Sequence, residues 1–250
     1  MLKKFLRKIF KLISDTIYLL LPQELFPNSN FYNTSSYGII KLLKEERDRE
    51  VYDTFAGAIK ESLPFIGDGI EIRKYAIQLA QKNQSKYCKD DLFYLEFGVF
   101  KGATANFFSN YVKNLYAFDS FQGLKKDWNG MGLSKGHFNL GNKLPRMKSN
   151  IKVIHGYIEN TLDDFLLEYK PQINFVHMDL DLYSSTKFAL QKIKPYLVHN
   201  SVLLFDQFYN YINWKEGEYK AFQEVFSTLE FSYKAFRLNG CQVVIQIIKN

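Results

Sequence analysis

Leu92-Phe93-Tyr94-Leu95-Glu96-Phe97-Gly98-Val99-Phe100-Lys101-Gly102, residues 92–102, is an apolar run that stops at a glycine-bearing bend, with a helical pattern opening at Ala103. A short apolar run bounded by glycine predicts a buried strand, and glycines at a strand-to-helix turn let a ligand approach the backbone closely. The third glycine of a G-x-G-x-x-G loop is absent, which counts against a dinucleotide pyrophosphate seated on the helix N-terminus.

Runs of the same kind recur downstream at Asn114 to Phe118, Lys152 to His155, Ile173 to Met178 and Ser201 to Phe205, separated by helical stretches. That alternation predicts a doubly wound parallel sheet. The end differs: Phe231 to Leu238 and Cys241 to Ile248 are joined only by Asn239-Gly240, a hairpin signal. The expected fold is α/β, with a mostly parallel, doubly wound, seven-stranded sheet whose last strand is antiparallel.

Ahead of this core, helical patterns run from Ser35 to Gln84, with opposite charges such as Glu45 and Arg49 at i,i+4 on a solvated face. Pro64, Gly67 and Gly69 break the pattern before a helix from Ile70 to Gln81. The reading divides the chain into a helical extension, 1–85, and a core, 86–250. Within the extension, Met1 to Leu21 sets Leu2, Phe5, Leu6, Ile9, Leu12, Ile13 and Leu20 on one helical face, opposite Lys3, Lys4, Arg7, Lys8 and Lys11. Lys11 and Asp15 interrupt the apolar run and no small-residue cleavage site follows, so neither a membrane span nor a signal peptide is expected. Two uses of this basic amphipathic helix stay open: packing on the domain or on a second subunit of a homo-oligomer, and peripheral docking on an anionic membrane.

With 46% apolar and 24% charged residues, a chain of 250 residues has the composition of an ordinary globular protein with one large core. Cys88 and Cys241 match neither a disulfide framework nor a zinc spacing, which suits the cytoplasm. The formal charge of +7 on a domain of this size reads as a solvated surface, and nucleic-acid binding is not expected.

Asp119 closes the second predicted strand about 20 residues beyond the first, where an acidic side chain accepts hydrogen bonds from ribose hydroxyls. The third strand ends in His155-Gly156-Tyr157-Ile158, which this topology sets beside an adenine ring.

Four blocks in order then carry a resemblance: Glu96-x-Gly98-Val99-x-x-Gly102; Asp119-Ser120-Phe121-x-Gly123-Leu124; Asp179-Leu180-Asp181-Leu182-Tyr183-x-Ser185-Thr186; and Gly217-Glu218-Tyr219-Lys220-Ala221-Phe222. From about Tyr94 to Phe226 the chain resembles the macrocin O-methyltransferase family, whose members act on sugar hydroxyls. The resemblance implies a class I methyltransferase fold, S-adenosylmethionine as methyl donor, and commonly magnesium to hold the acceptor sugar. Cofactor contacts are then expected at Glu96, Gly98, Val99, Gly102 and Thr104, at Asp119 and Ser120, at Gly156, Tyr157 and Ile158, and at Asp179. The acceptor is expected to be a glycan or a sugar-containing small molecule.

Asp179, Asp181 and Asp206 fall at the carboxyl ends of neighbouring strands, the region where doubly wound folds bind ligands. Hard oxygen donors suit magnesium, and Asp179 with Asp206 form the expected ligand pair. The family places an acidic or amide ligand directly after Asp206; here it is the uncharged Gln207. The bland reading is that these acids only order loops.

A hydroxyl needs a base. His137 is one candidate, in the glycine-rich, aperiodic stretch Phe121 to Asn150 that reads as a lid; Asp179 is the other. Phe208, Tyr209, Tyr211 and Trp214, with Tyr183, are expected to form a sugar-stacking platform, although aromatics are 17% of the chain and plain core packing is the alternative.

Three other functions are weaker. A nucleic-acid amine methyltransferase carries an Asn/Asp-Pro-Pro-aromatic motif where this chain has Asp179-Leu180-Asp181-Leu182-Tyr183. An NAD-linked oxidoreductase conflicts with the glycine spacing and the terminal hairpin. A non-catalytic partner protein that keeps the fold is consistent with Gln207.

Overall fold

The computed structural model describes residues 29–87, 92–128, 130–141 and 143–249. The predicted helix of residues 1–21 and Cys88 lie outside the described residues. By compactness the chain divides into residues 1–48 and 49–250. In the first unit, helix α1 (Ser29–Lys60) begins, and Ile39, Ile40, Leu42 and Leu43 are exposed on it. In the second unit the same helix ends, carrying the buried Phe55. No described helix is long and apolar enough to cross a membrane.

The second unit continues with β1 (Leu63–Phe65), α2 (Ile70–Tyr87), β2 (Leu92–Phe97), α3 (Ala103–Phe108), β3 (Leu115–Asp119), β4 (Ile151–His155), α4 (Ile158–Tyr169) and β5 (Gln172–Met178). After these come α5 (Tyr183–Ile193), β6 (Leu197–Phe205), α6 (Glu218–Val225), β7 (Phe231–Arg237) and β8 (Val243–Ile247). Among the described residues the strands form one sheet in the order β1-β7-β8-β6-β5-β2-β3-β4. Only β8 runs antiparallel to its neighbours, inserted between β6 and β7 with Phe205 opposite Val243 and Phe231 opposite Ile247.

The sheet therefore has eight strands rather than seven. The extra strand is Leu63-Pro64-Phe65, paired parallel to β7 with Leu63 opposite Ala235. Three residues containing a proline carry too little periodicity to read as a strand, and an edge position is where a sheet tolerates proline. The sheet body thus reaches back at least to Leu63, ahead of the expected boundary at residue 85. Helix α2 belongs to it as well, laying Ile72, Ala76, Ile77 and Ala80 on the sheet at helical spacing, all four wholly buried.

Alternate residues of each strand feed opposite faces. Leu95 and Phe97, Tyr116 and Phe118, Val176 and Met178 join one apolar layer, whereas Tyr94, Leu115, Ala117 and Phe175 join the other. Each buried side chain of this size contributes about 1.5–3 kcal/mol relative to exposure. Covering both faces leaves the carboxyl ends of β2, β3 and β5 as the place where irregular backbone converges.

Candidate active site

Gly98 follows β2 with φ +87°, and its amide donates to the Phe118 carbonyl at 2.9 Å. A Cβ here would lie 1.8 Å from the carbonyl oxygen of Asp179, so only glycine lets the ends of β2 and β5 approach this closely. On the β5 side, the Asp179 amide donates to the Phe97 carbonyl at 2.8 Å.

Asp119 fastens the bend. One of its carboxylate oxygens accepts from the amides of Val99 and Phe100, both at 2.7 Å, and the other accepts from Phe121 at 2.7 Å. A carboxylate offers about four acceptor positions, so three amide bonds leave room for one more donor. The Asp119 carbonyl receives the Gly156 amide at 3.0 Å, drawing the end of β4 to the same place.

These ends surround a cavity of about 240 Å³. Of the expected cofactor contacts, Gly98, Val99, Asp119, Ser120, Gly156, Tyr157, Ile158 and Asp179 line it. Glu96, Gly102 and Thr104 do not. Glu96 is wholly buried and turned to His177, and Gly102 serves as the left-handed N-cap of α3, where a Cβ would meet Met147. The motif therefore contributes to the bend in two ways: Gly98 at the cavity, Glu96 and Gly102 behind it.

Lining residues not foreseen include Lys125, Glu159, Ser185 and Phe138. Lys125 sits over the Tyr157 ring, 4.2 Å from its centroid, and donates to Glu159, which also accepts from Ser185 at 2.8 Å. Burial works to raise the Glu159 pKa, but the bonds from Lys125 and its neighbours leave it below the ordinary value. This pairing joins the 121–150 stretch to α4 and α5, and no sequence spacing announces it.

A second cavity of about 400 Å³ shares Asp181 and Leu182 with the first and adds Lys126, Asp127, Trp128, Tyr183, Ser184 and Glu216. Asp181 holds a left-handed φ of +62° at this junction, a conformation uncommon outside glycine.

The expected aromatic platform is corrected. Phe208, Tyr209 and Trp214 are each at most 1% exposed and gather around Phe55, with ring centroids at 6.1, 5.5 and 5.4 Å. Tyr211 is also buried, edge-on to Trp128 at 5.9 Å. Phe55 comes from α1, far away in sequence, and turns this aromatic density into core. Tyr183 alone of the five reaches a cavity wall.

Asp206 and Gln207 also line the first cavity, and a buried charge network runs inward from Asp206. His177 of β5, wholly buried, places Nδ1 3.0 Å from Glu96 and Nε2 3.6 Å from Asp206. Burial pulls the imidazole pKa down, but the carboxylates of Asp206 and Glu96 outweigh it and raise it to about 10, so the ring is a cation at neutral pH. Arg73 of α2 donates to Asp206 Oδ1 at 2.6 Å. Burial tends to raise the Asp206 pKa, and the facing His177 and Arg73 override it and hold the carboxyl well below the usual range. Asp179, at the cavity wall, is raised to about 8 by burial and by the charge of Asp206. Asp181 and Glu218 are both pushed well up, chiefly by burial.

The magnesium set fits poorly. Atoms of His177, Asp179 and Asp206 lie within 4.8 Å of one another. Yet both oxygens of Asp206 are engaged, Oδ1 by Arg73 and by Gln242 at 3.0 Å, Oδ2 by the Gln207 amide nitrogen at 2.8 Å. Gln207 thus spends its amide nitrogen as a donor to that carboxylate, while its amide oxygen is buried at the cavity without a partner. His137, the other base candidate, is exposed, its ring against Phe138 at 4.3 Å, and it lines neither cavity. His177 and Arg73 were not foreseen. Within the otherwise apolar run Ile173 to Met178 only Asn174 and His177 are polar, and His177 is the residue there that marks the buried charge network.

Residues 95–208 match a protein-family model described as a methyltransferase domain. A comparison with curated proteins gives no match. Among solved structures, the chain is similar to the apo form of CalS11, a TDP-rhamnose 3'-O-methyltransferase of calicheamicin biosynthesis. The identity is 18% over 71% of this chain and 78% of that one, with a TM-score of 0.52. A second crystal structure of CalS11 aligns over 96% of this chain and 90% of its own at 18% identity and a TM-score of 0.51. The O-methyltransferase NovP is 16% identical over 71% of this chain and 79% of that one, with a TM-score of 0.50. With the antiparallel β8 inserted between β6 and β7, the architecture is the class I, Rossmann-like methyltransferase fold.

Proposed function

We propose that this chain transfers a methyl group from S-adenosylmethionine to a hydroxyl of a sugar-containing acceptor. The observation that carries the reading is the convergence of Gly98, Asp119 and Gly156 on one cavity, with Asp179 on its wall and Asp181 at the junction with a second cavity. The methyltransferase-domain match over residues 95–208 supports the reaction type. The sugar rests on the motif resemblance and on the polar wall of the second cavity, where Asp127, Tyr183 and Ser184 offer hydrogen bonds to hydroxyls. CalS11, which shares the fold, is a sugar O-methyltransferase.

S-adenosylmethionine supplies an electrophilic methyl carbon on a positively charged sulfur. Asp119 holds the bend and would accept from the ribose. Gly98 would leave space for the amino-acid tail, and Gly156, Tyr157 and Ile158 would hold the adenine. Asp179 takes the hydroxyl proton as the new O–C bond forms and the S–C bond breaks, leaving S-adenosylhomocysteine. A carboxyl raised to about 8 is suited to that role, because a base works best with a pKa near the working pH.

Assaying S-adenosylhomocysteine release with a panel of free, nucleotide-linked and lipid-linked sugars tests the reading. Acceptor-dependent release with a methylated sugar as product is expected. Cofactor binding without turnover on any sugar, but with turnover on a phenolic or other non-sugar hydroxyl, would overturn the substrate class. Binding with no turnover at all would favour a partner protein that keeps the fold.

A further inference from the structure

Arg73 stands outside the motif blocks, yet it donates to Asp206, one of the two expected ligands of a divalent ion. We infer that Arg73 is the resident cation of the acidic cluster under the cavity, and that this site works without a metal ion. The inference concerns the same cleft as the proposed reaction but requires only the geometry of Asp206 and its partners.

The Arg73 guanidinium donates to Asp206 Oδ1 at 2.6 Å, and Gln242 donates to the same oxygen at 3.0 Å. The remaining oxygen accepts from Gln207 at 2.8 Å. Magnesium binds carboxylate oxygen at about 2.0–2.1 Å in a near-octahedral shell. An ion on Oδ1 would have to share that oxygen with a fixed guanidinium, and the side chains of Arg73 and Asp206 are only 18% and 11% exposed, so water screens their surroundings weakly. His177 does not rescue the site, since its Nδ1 faces Glu96 at 3.0 Å and an imidazole nitrogen is a poor partner for magnesium.

Arg73 is also built in. It rises from α2 beneath Gly69, where even a Cβ would lie 3.1 Å from Nη1 of Arg73 and 3.2 Å from Nη1 of Arg237. At residue 207 the acid the resemblance favours is replaced by an amide that donates to Asp206. Gln207 engages Oδ2 and Arg73 engages Oδ1, so donors hold both oxygens of Asp206. Arg73 is therefore a positioning residue: with Gln242 and Gln207 it fixes the orientation of the Asp206 carboxylate at the cavity wall.

Electron paramagnetic resonance of Mn²⁺ titrated into the full chain, with and without S-adenosylhomocysteine, tests this without any acceptor, so its failure is separate from failure of the proposed reaction. The wild-type chain is expected to leave Mn²⁺ free at millimolar concentration, or to bind only ions that Asp179→Asn leaves in place. Arg73→Met is expected to create a site at least tenfold tighter, abolished by adding D179N. Stoichiometric binding by the wild type that D179N removes would overturn the inference, as would an R73M chain that folds by circular dichroism and gains no site. Should R73M not fold, the wild-type titration decides alone.

Discussion

Nδ1 of His177 lies 3.0 Å from Oε1 of Glu96, with both side chains wholly buried between β2 and β5. Neither residue lines a cavity, yet the pair underlies the chemistry above it. A buried charged imidazole balances Glu96 and, with Arg73, balances Asp206, so the cavity wall can keep Asp179 with a raised pKa instead of a second ionised acid. Breaking such a pair leaves an uncompensated buried charge, which costs about 3–5 kcal/mol.

Stability should fall as pH rises. His177 has a folded pKa of about 10 against an ordinary 6.5, so between these values the native state holds a proton that the unfolded chain has lost. Its contribution is complete below pH 6.5 and disappears toward pH 10. Asp179, raised from 3.8 to about 8, acts in the same direction over its own interval. Differential scanning calorimetry from pH 6.5 to 10 should show a steadily declining midpoint, steepest below pH 8 where both groups act. A level or rising midpoint would show that His177 is not held as a cation.

Gly98→Ala should fold poorly. The added methyl would lie 1.8 Å from the Asp179 carbonyl oxygen, at a φ of +87° that also strains any side chain. Overpacking of this kind costs about 1–3 kcal/mol and occasionally more, on top of the backbone penalty. Chemical denaturation should report a loss of at least about 2 kcal/mol; near-parental stability would mean that β2 and β5 do not meet as described.

Asp179→Asn should lower kcat by about 10²- to 10⁴-fold, the usual contribution of a positioned base, with a much smaller effect on cofactor affinity. The wild-type kcat/KM should rise with pH toward a plateau above about 8 as Asp179 ionises. His137→Ala should retain turnover within a few-fold, since its ring is exposed and lines neither cavity. Should H137A lose as much rate as D179N, the base lies on the 121–150 stretch.

Phe55→Ala should destabilise the chain by about 3–5 kcal/mol, as large-to-small changes of buried aromatic side chains do. Its ring touches those of Phe208, Tyr209 and Trp214 at centroid distances of 5.4–6.1 Å. Unfolding should register the loss, and cofactor titration should not. Unchanged stability would return those aromatics to the acceptor side.

The fold was legible where period and punctuation agree. The apolar runs ending at Gly98, Asp119 and Asp179 gave parallel strands, and β2 runs from Leu92 to Phe97 as read. Leu63 to Phe65 was not legible, because its strand character comes from pairing with β7 and not from its own three residues. The cavity side of the site was legible because Gly98, Asp119 and Gly156 act through backbone geometry that glycine and strand-end acids betray. The aromatics after Asp206 were misread because Phe55, which buries them, comes more than a hundred residues earlier. Arg73 was invisible for the same reason: an arginine on a helix has no sequence mark until the fold sets it against Asp206.

Isothermal titration with S-adenosylmethionine measures the central claim most directly. The wild-type chain should bind one equivalent, and Asp119→Ala should weaken it by about 10- to 100-fold, the loss of one hydrogen bond to a charged acceptor at about 1.5–3 kcal/mol. No heat from the folded wild-type chain, or equal affinity in the D119A variant, would contradict the assignment of this cavity to the methyl donor.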